Sequence, residues 1–380
     1  MLAACVAACD GPIEPRPQGA ELTALLAALQ YEAEGELRPM LGVSLRLESL
    51  SARDAAGRGA WESEAVRSLR ITDIRFPPGS QSYLIDETDG DAALAAARAA
   101  LGATNSRTHA PQFSDSHLER ADVDRISLGN EPPIHVAEFE PFGGYVNWAR
   151  SLLALGHVEP TRLYVQAAQA RTMLSPPVAA RQQQTWDSVR VAWMSGLLPV
   201  RGVATTQKLW DADASVHHVL SEELALYARD FPGARIWLTE WNASRDTLAA
   251  VDESREAFAT AEMLLTVARL HYETNGQVEA LHYHVGWIRD AGSPATRPAL
   301  ATVVNGAWGL TAAGEAYRTF APLLHGRWGR LPRESLPGVV LEAFTTETGE
   351  RVLAYVNKRT SPVTVFGVVL PARSYGVLGG

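Results

Sequence analysis

Two glutamates sit at the ends of short apolar runs, and that placement is the first sign of chemistry in this chain. Ile126-Ser127-Leu128-Gly129-Asn130-Glu131-Pro132-Pro133 carries an aliphatic run into an Asn-Glu pair and breaks on two prolines. Ile236-Trp237-Leu238-Thr239-Glu240-Trp241-Asn242 has the same build, with its carboxylate again downstream. Runs of this length read as buried strands. The downstream end of a barrel strand is where the catalytic groups of barrel enzymes sit. Glu131 and Glu240 are therefore the candidate catalytic pair.

The elements that would carry them alternate along the chain. Helical spacing is seen over 21–31, a strand over 40–47, a helix over 61–69, a strand over 71–76 that ends on Pro77-Pro78-Gly79, and an Ala-rich helix over 91–101. From 145 the rhythm is regular: helix 145–155, strand 162–168, helix 183–194, strand 202–206, helix 216–230, strand 235–240, helix 257–273, strand 278–285 and helix 312–324. Strands alternating with helices predict a parallel sheet with helices outside, and seven or eight repeats favour closure into a (β/α)8 TIM barrel. The weak stretch is 102–124, where Ala103-Thr104-Asn105 lacks the aliphatic run of a buried parallel strand. After His325, short β-type runs over 339–345, 351–356, 363–369 and 375–378 predict a small antiparallel β-sandwich-type domain. The expected organisation is a start and linker over 1–20, a catalytic barrel over 21–325 and an accessory β-domain over 326–380.

The 380 residues suffice for a barrel plus a small domain, and 46% hydrophobic with 20% charged residues is ordinary for a globular protein. The net charge is −9 and Lys occurs only at 208 and 358, with no basic cluster. Nucleic acid is therefore not an expected partner. No apolar run approaches the roughly 18 residues of a membrane span. Cys5 and Cys9 end Leu-Ala-Ala-Cys and Val-Ala-Ala-Cys, and both resemble the bacterial lipobox, although no positively charged stretch precedes them. They give two expectations: a lipid-anchored or otherwise exported protein (secreted, periplasmic or on the outer surface), or a plain Ala-rich start with a cytoplasmic location left open. The rest of the chain has no cysteine, so its fold uses neither disulfide nor thiol chemistry.

The motifs together resemble a family. Asn130-Glu131-Pro132 looks like the acid/base motif of clan A retaining glycoside hydrolases, where it ends the fourth barrel strand. Leu238-Thr239-Glu240-Trp241-Asn242 resembles the nucleophile motif on the seventh strand of the β-xylosidase and α-arabinofuranosidase families. Ile74-Arg75-Phe76-Pro77-Pro78-Gly79 is similar to the second-strand Arg segment of the arabinofuranosidase and heparanase-like β-glucuronidase families. Leu370-Pro371-Ala372-Arg373-Ser374-Tyr375 looks like the last strand of their accessory domain.

That resemblance implies an O-glycosyl hydrolase acting on an oligo- or polysaccharide without a cofactor. In such enzymes a carboxylic acid protonates the leaving oxygen while a carboxylate attacks the anomeric carbon, the two carboxyls about 5–5.5 Å apart. Two carboxylates so close do not both ionise easily, which keeps one protonated near neutral pH. Glu131 would be the acid and later the base, Glu240 the nucleophile, Arg75 the group holding Glu240 ionised, and Asn130 the partner of the sugar hydroxyl beside the anomeric carbon. His284, Trp287, Trp210, Trp241 and Tyr145 are further candidates to line the sugar site, because aromatic faces stack on sugar C–H faces. Trp148, at helical spacing, reads as core.

Other readings stay open on the residues alone. Arg75 could instead pair with Asp73 or another acid. His282 and His284 share a strand face and could ligate a metal, but no further ligands stand at zinc spacing, so no metal site is expected. The sixth-strand segment Val203-Ala204-Thr205-Thr206-Gln207-Lys208-Leu209-Trp210 lacks the family's His or Tyr. That departure supports the alternative of a carbohydrate-binding protein on the same barrel that has lost turnover.

Overall fold

The computed structural model describes residues 19–32, 38–86, 88–114, 118–156, 158–169, 176–207, 216–242, 253–289, 299–332 and 336–379. Both cysteines, the 1–18 start and Trp210 lie outside the described residues.

Eight parallel strands close into a barrel in chain order: β1 Met40–Ser44, β2 Asp73–Arg75, β3 Thr104–His109, β4 Arg125–Leu128, β5 Leu163–Gln169, β6 Gly202–Gln207, β7 Arg235–Trp241 and β8 Val278–His284. β8 pairs with β1 through five residues, Met40 to Ala280 up to Ser44 to His284, which removes any free edge. The outward-facing residues of the strands, such as Val43, Ile74, Ile126, Leu128, Val165, Val203, Ile236 and Leu281, are buried with the helices in one continuous core. The fold is a (β/α)8 barrel with additional antiparallel sheets at its C-terminal end.

The third repeat corrects the sequence reading. Thr104–His109 is a full strand although every residue in it is polar, and all six are at least partly buried. Five of the six make side-chain hydrogen bonds or ion pairs, and His109 stacks on Trp148. Thr104 and Ser106 donate to the Asp73 carboxylate, Asn105 binds Asp122, Arg107 pairs with Asp91, and Thr108 accepts from Arg75. A strand can therefore be buried without aliphatic residues when its side chains find polar partners. The described part of 110–124 contains turns and bends only, with no helix.

The barrel floor is a closed polar and aromatic layer. Trp237 Nε1 donates to His282 Nδ1 at 2.7 Å, and His282 Nε2 lies 2.8 Å from Asp73 Oδ2. An imidazole that accepts at Nδ1 is neutral with its proton on Nε2. Burial, the largest influence, pulls the His282 pKa down, in agreement. Both ring nitrogens are thus used, and among the described residues no group of three or more His, Cys, Asp or Glu could hold a metal.

Beyond β8, a hairpin of β9 Ala301–Val304 and β10 Ala307–Leu310 turns on Asn305 and Gly306, both at positive φ. Helix Ala312–Phe320 follows, its Thr311 cap accepting from Gly314 N. Then comes an antiparallel sheet in the order β11 Arg327–Gly329, β12 Val339–Thr345, β13 Arg351–Asn357, β16 Ser374–Gly379, with β14 Val363–Val365 and β15 Val368–Leu370 as a separate hairpin. The single run expected over 363–369 is split by Phe366 and Gly367, both at positive φ. Helix Ala20–Ala28 packs Leu22 and Leu26 on Ala343 and Leu353 of this sheet. A cleft of about 1100 Å³ separates part of the sheet from helix Glu253–Glu273, and on its wall buried Glu342 accepts from Trp328 Nε1 at 2.8 Å. No helix among the described residues is long and apolar enough to cross a membrane.

Candidate active site

The C-terminal mouth of the barrel is organised around Arg75. β2 delivers this guanidinium inward with no exposed surface, and its two terminal nitrogens divide the work. Nη1 donates to Glu240 Oε1 at 3.0 Å, to the Thr239 carbonyl at 3.2 Å and to Ser44 Oγ at 3.4 Å. Nη2 donates to Thr108 Oγ1 at 2.7 Å and to Asn130 Oδ1 at 2.9 Å. One planar fork thereby ties β2 to β1, β3, β7 and the residues after β4. Burial pulls the Arg75 pKa below its ordinary value, opposed first by Glu240 and then by Glu131. Arg75 thus pairs with Glu240; Asp73 lies on the barrel floor with His282.

Glu240 reaches the mouth because of a bulge. Along β7 the alternation that puts Trp237 inside would also put Thr239 inside and Glu240 outside. The ladder to β6 jumps from Thr205–Leu238 to Thr206–Glu240, which inserts Thr239 as an extra residue. A bulge reverses the facing of everything after it. Glu240 then turns inward, 2% exposed, while Trp241 turns outward into the helix-facing core, edge-on to Tyr283 at 4.8 Å between centroids.

Glu131 is delivered by a different device. After Leu128, Gly129 takes φ +71° and Glu131 takes φ +45°, so the chain leaves the strand through two left-handed residues around Asn130. The Tyr83 hydroxyl clamps Asn130, accepting from its N–H at 2.9 Å and donating to its carbonyl at 2.8 Å. Burial pushes the Tyr83 phenol above its usual range, so it stays a neutral hydroxyl. The Glu131 N–H donates to Gln166 Oε1 at 3.0 Å, and its carbonyl accepts from Ile134 N at 2.8 Å and His135 N at 3.2 Å. Asn130 Nδ2 is buried without a hydrogen-bond partner among the described residues.

On β8, His284 shares the inward face with His282, and its Nε2 lies 3.8 Å from Glu240 Oε2. The structure thus brings Glu131, Glu240, Asn130, Arg75 and His284 to one mouth. It places three other candidates elsewhere. Trp241 lies in the outer core. Tyr145 stands on helix Tyr145–Ala154 behind the strands, its hydroxyl donating to Leu128 O at 2.7 Å and accepting from Gln166 N at 2.6 Å. Trp287 has no exposed surface, donates to Ser49 O at 3.1 Å and packs on Trp61. Residues that sequence reasoning missed are Ser44, Tyr83, Thr108, Gln166 and Thr206. Their signal is position: Thr108, next to the end of β3, and Gln166, in the middle of β5, are on the inward face, but polar strand residues carry no hydrophobic period to reveal them.

No family model matches the sequence, and no curated protein matches it either. Solved structures do. A GH51 arabinofuranosidase from Xanthomonas axonopodis pv. citri superposes with TM-score 0.54 at 10% identity, covering 83% of each chain. An endo-β1,6-glucanase gives TM-score 0.58 at 9% identity over 92% of each chain. A 4-O-α-L-rhamnosyl-β-D-glucuronidase from Fusarium oxysporum 12S gives 0.53 at 11% identity, over 89% of this chain and 82% of that one. The fold of this chain is accordingly similar to that of arabinofuranosidase, glucanase and glucuronidase structures.

Proposed function

We propose that this protein is a retaining glycoside hydrolase that cleaves O-glycosidic bonds by double displacement, with Glu131 as acid/base and Glu240 as nucleophile. The observation that carries the reading is the buried Arg75 fork, which joins Glu240 to Asn130 beside Glu131 at the barrel mouth. The likeness in fold to known glycosidases supports it.

In the first step a Glu240 oxygen bonds to the anomeric carbon as the glycosidic C–O bond breaks, and the Glu131 proton goes to the departing oxygen. Arg75 keeps Glu240 ionised in the free enzyme, because a guanidinium at 3.0 Å favours the charged carboxylate. Esterification removes that charge, and Glu131, now ionised, takes a proton from water as the water oxygen replaces Glu240 on the anomeric carbon. The unpartnered Asn130 amide nitrogen is the donor for the neighbouring sugar hydroxyl. The substrate is an oligo- or polysaccharide. Export or lipid anchoring is supported by the lipobox-like Cys5 and Cys9 alone; absence of palmitate incorporation in a bacterial host would remove that part.

The test is hydrolysis of aryl xyloside, arabinofuranoside, glucuronide, glucoside and galactoside by the wild type, Glu131→Ala and Glu240→Ala. One substrate should turn over, Glu240→Ala should abolish it, and azide should restore Glu131→Ala on an activated leaving group. Activity retained in both variants would refute both assignments. An inert wild type that still binds glycan would point to a binding protein.

A further inference from the structure

The inward face of β5 and β6 holds a hydrogen-bonded chain that ends on the backbone of the proton donor. Gln166 is completely buried, and its two amide ends do different things. Oε1 accepts the Glu131 N–H at 3.0 Å, while Nε2 donates to Thr206 Oγ1 at 3.2 Å. Thr206 is the residue that the β7 bulge sets opposite Glu240 in the ladder. The Glu131 N–H can only donate, so a flip would set the amide nitrogen against it, donor facing donor, whereas the Thr206 hydroxyl, which can serve either amide end, anchors the far side of the amide.

What that oxygen fixes is costly to hold otherwise. Glu131 is not glycine, yet it sits at φ +45°. For a residue with a Cβ the left-handed region is unfavourable and persists only where surroundings enforce it. The Asn130 peptide groups are held by Tyr83 and the Glu131 carbonyl by the following turn, so Gln166 is the partner that accounts for the Glu131 N–H. The direction of the Glu131 Cα–Cβ bond, from which the carboxyl reaches into the mouth, follows from that peptide.

We infer that Gln166, held in place by Thr206, is a positioning residue that aims the Glu131 carboxyl at the leaving-group oxygen. Thr206 is then what this chain's sixth strand contributes where the resembling families carry His or Tyr. The inference rests on the acid/base reading of Glu131.

The test compares kcat/KM for phenyl and 2,4-dinitrophenyl glycosides of the sugar that the wild type hydrolyses. This parameter reports the steps through glycosylation, in which phenol needs a proton and dinitrophenol does not. Gln166→Met keeps the side chain's length and deletes the acceptor. It should lower kcat/KM roughly 10- to 100-fold on the phenyl substrate, the scale of a misplaced catalytic group. On the dinitrophenyl substrate it should change by less than about threefold, because no acid is needed there. Thr206→Val should shift both in the same directions by less, and Thr206→Ser should restore wild-type values. Equal losses on both substrates, or none, would overturn the inference, and if Gln166→Met does not fold, the Thr206 pair decides it on the same criterion. Glu131→Ala separates the two readings. If it shows the leaving-group pattern and neither the Gln166 nor the Thr206 variant does, only this inference fails; if Glu131→Ala lacks the pattern, or the wild type turns nothing over, both fall.

Discussion

Arg75 and Glu240 meet at 3.0 Å with side-chain exposures of 0% and 3%, an ion pair formed across the barrel mouth by strands that are 165 residues apart. Such a pair is sensitive to loss of one partner, because the survivor is a buried charge without compensation. Arg75→Ala should therefore lower the unfolding free energy by roughly 3–5 kcal/mol. The Arg75→Ala, Glu240→Ala double variant should recover part of that loss, as read by denaturant titration of the four proteins of the cycle.

The Asn130 amide nitrogen is buried without a hydrogen-bond partner among the described residues, while its oxygen is occupied by Arg75. Asn130→Ala should cost on the order of 100-fold in kcat with little change in KM, because bonds to the hydroxyl beside the anomeric carbon strengthen in the transition state. A rise in KM with kcat intact would mean that the contact is made equally in the ground state.

Tyr145 braces β4 against β5 from behind, with one hydroxyl serving Leu128 O and Gln166 N. Tyr145→Phe leaves both groups buried and unsatisfied, which should destabilise the fold by roughly 1–3 kcal/mol. KM for any glycoside should stay at the wild-type value. A large KM effect without a stability effect would place Tyr145 in contact with sugar.

Glu342 is buried on the wall of the cleft between sheet and helix, and burial raises its pKa from 4.5 to about 7 against the pull of Trp328 and Arg269. The folded state therefore binds a proton that the unfolded state has released, and stability falls as pH rises from 4.5 to about 7. Glu342→Gln keeps an acceptor for Trp328 and removes the titration. Its stability relative to wild type should improve by up to about 3 kcal/mol between acidic pH and pH about 8. A difference that does not change with pH would show that Glu342 does not titrate in this window.

The parts of the site that could be read from sequence are those where a polar residue interrupts an apolar run. Arg75, Asn130, Glu131 and Glu240 each follow a short aliphatic stretch, and the structure sets them at strand ends around one mouth. Trp241 was not legible, because the bulge after Leu238 reverses the facing of β7 and a bulge leaves no mark on hydrophobic periodicity. β3 was obscured for a related reason: its buried face is paid for by carboxylates and Arg75 rather than by aliphatic packing, and those partners lie far along the chain. Tyr83 and Gln166 act on backbone groups, which no sequence pattern displays.

Double displacement requires Glu240 to form a covalent bond to the sugar. It is read most directly by incubating the protein with a 2-deoxy-2-fluoro glycoside of the sugar it hydrolyses, bearing an activated leaving group, and mapping the mass adduct by peptide. One glycosyl group is expected on the peptide containing Glu240, and none in Glu240→Ala. An adduct on another residue, or turnover of the parent glycoside with inversion and no adduct, would contradict it.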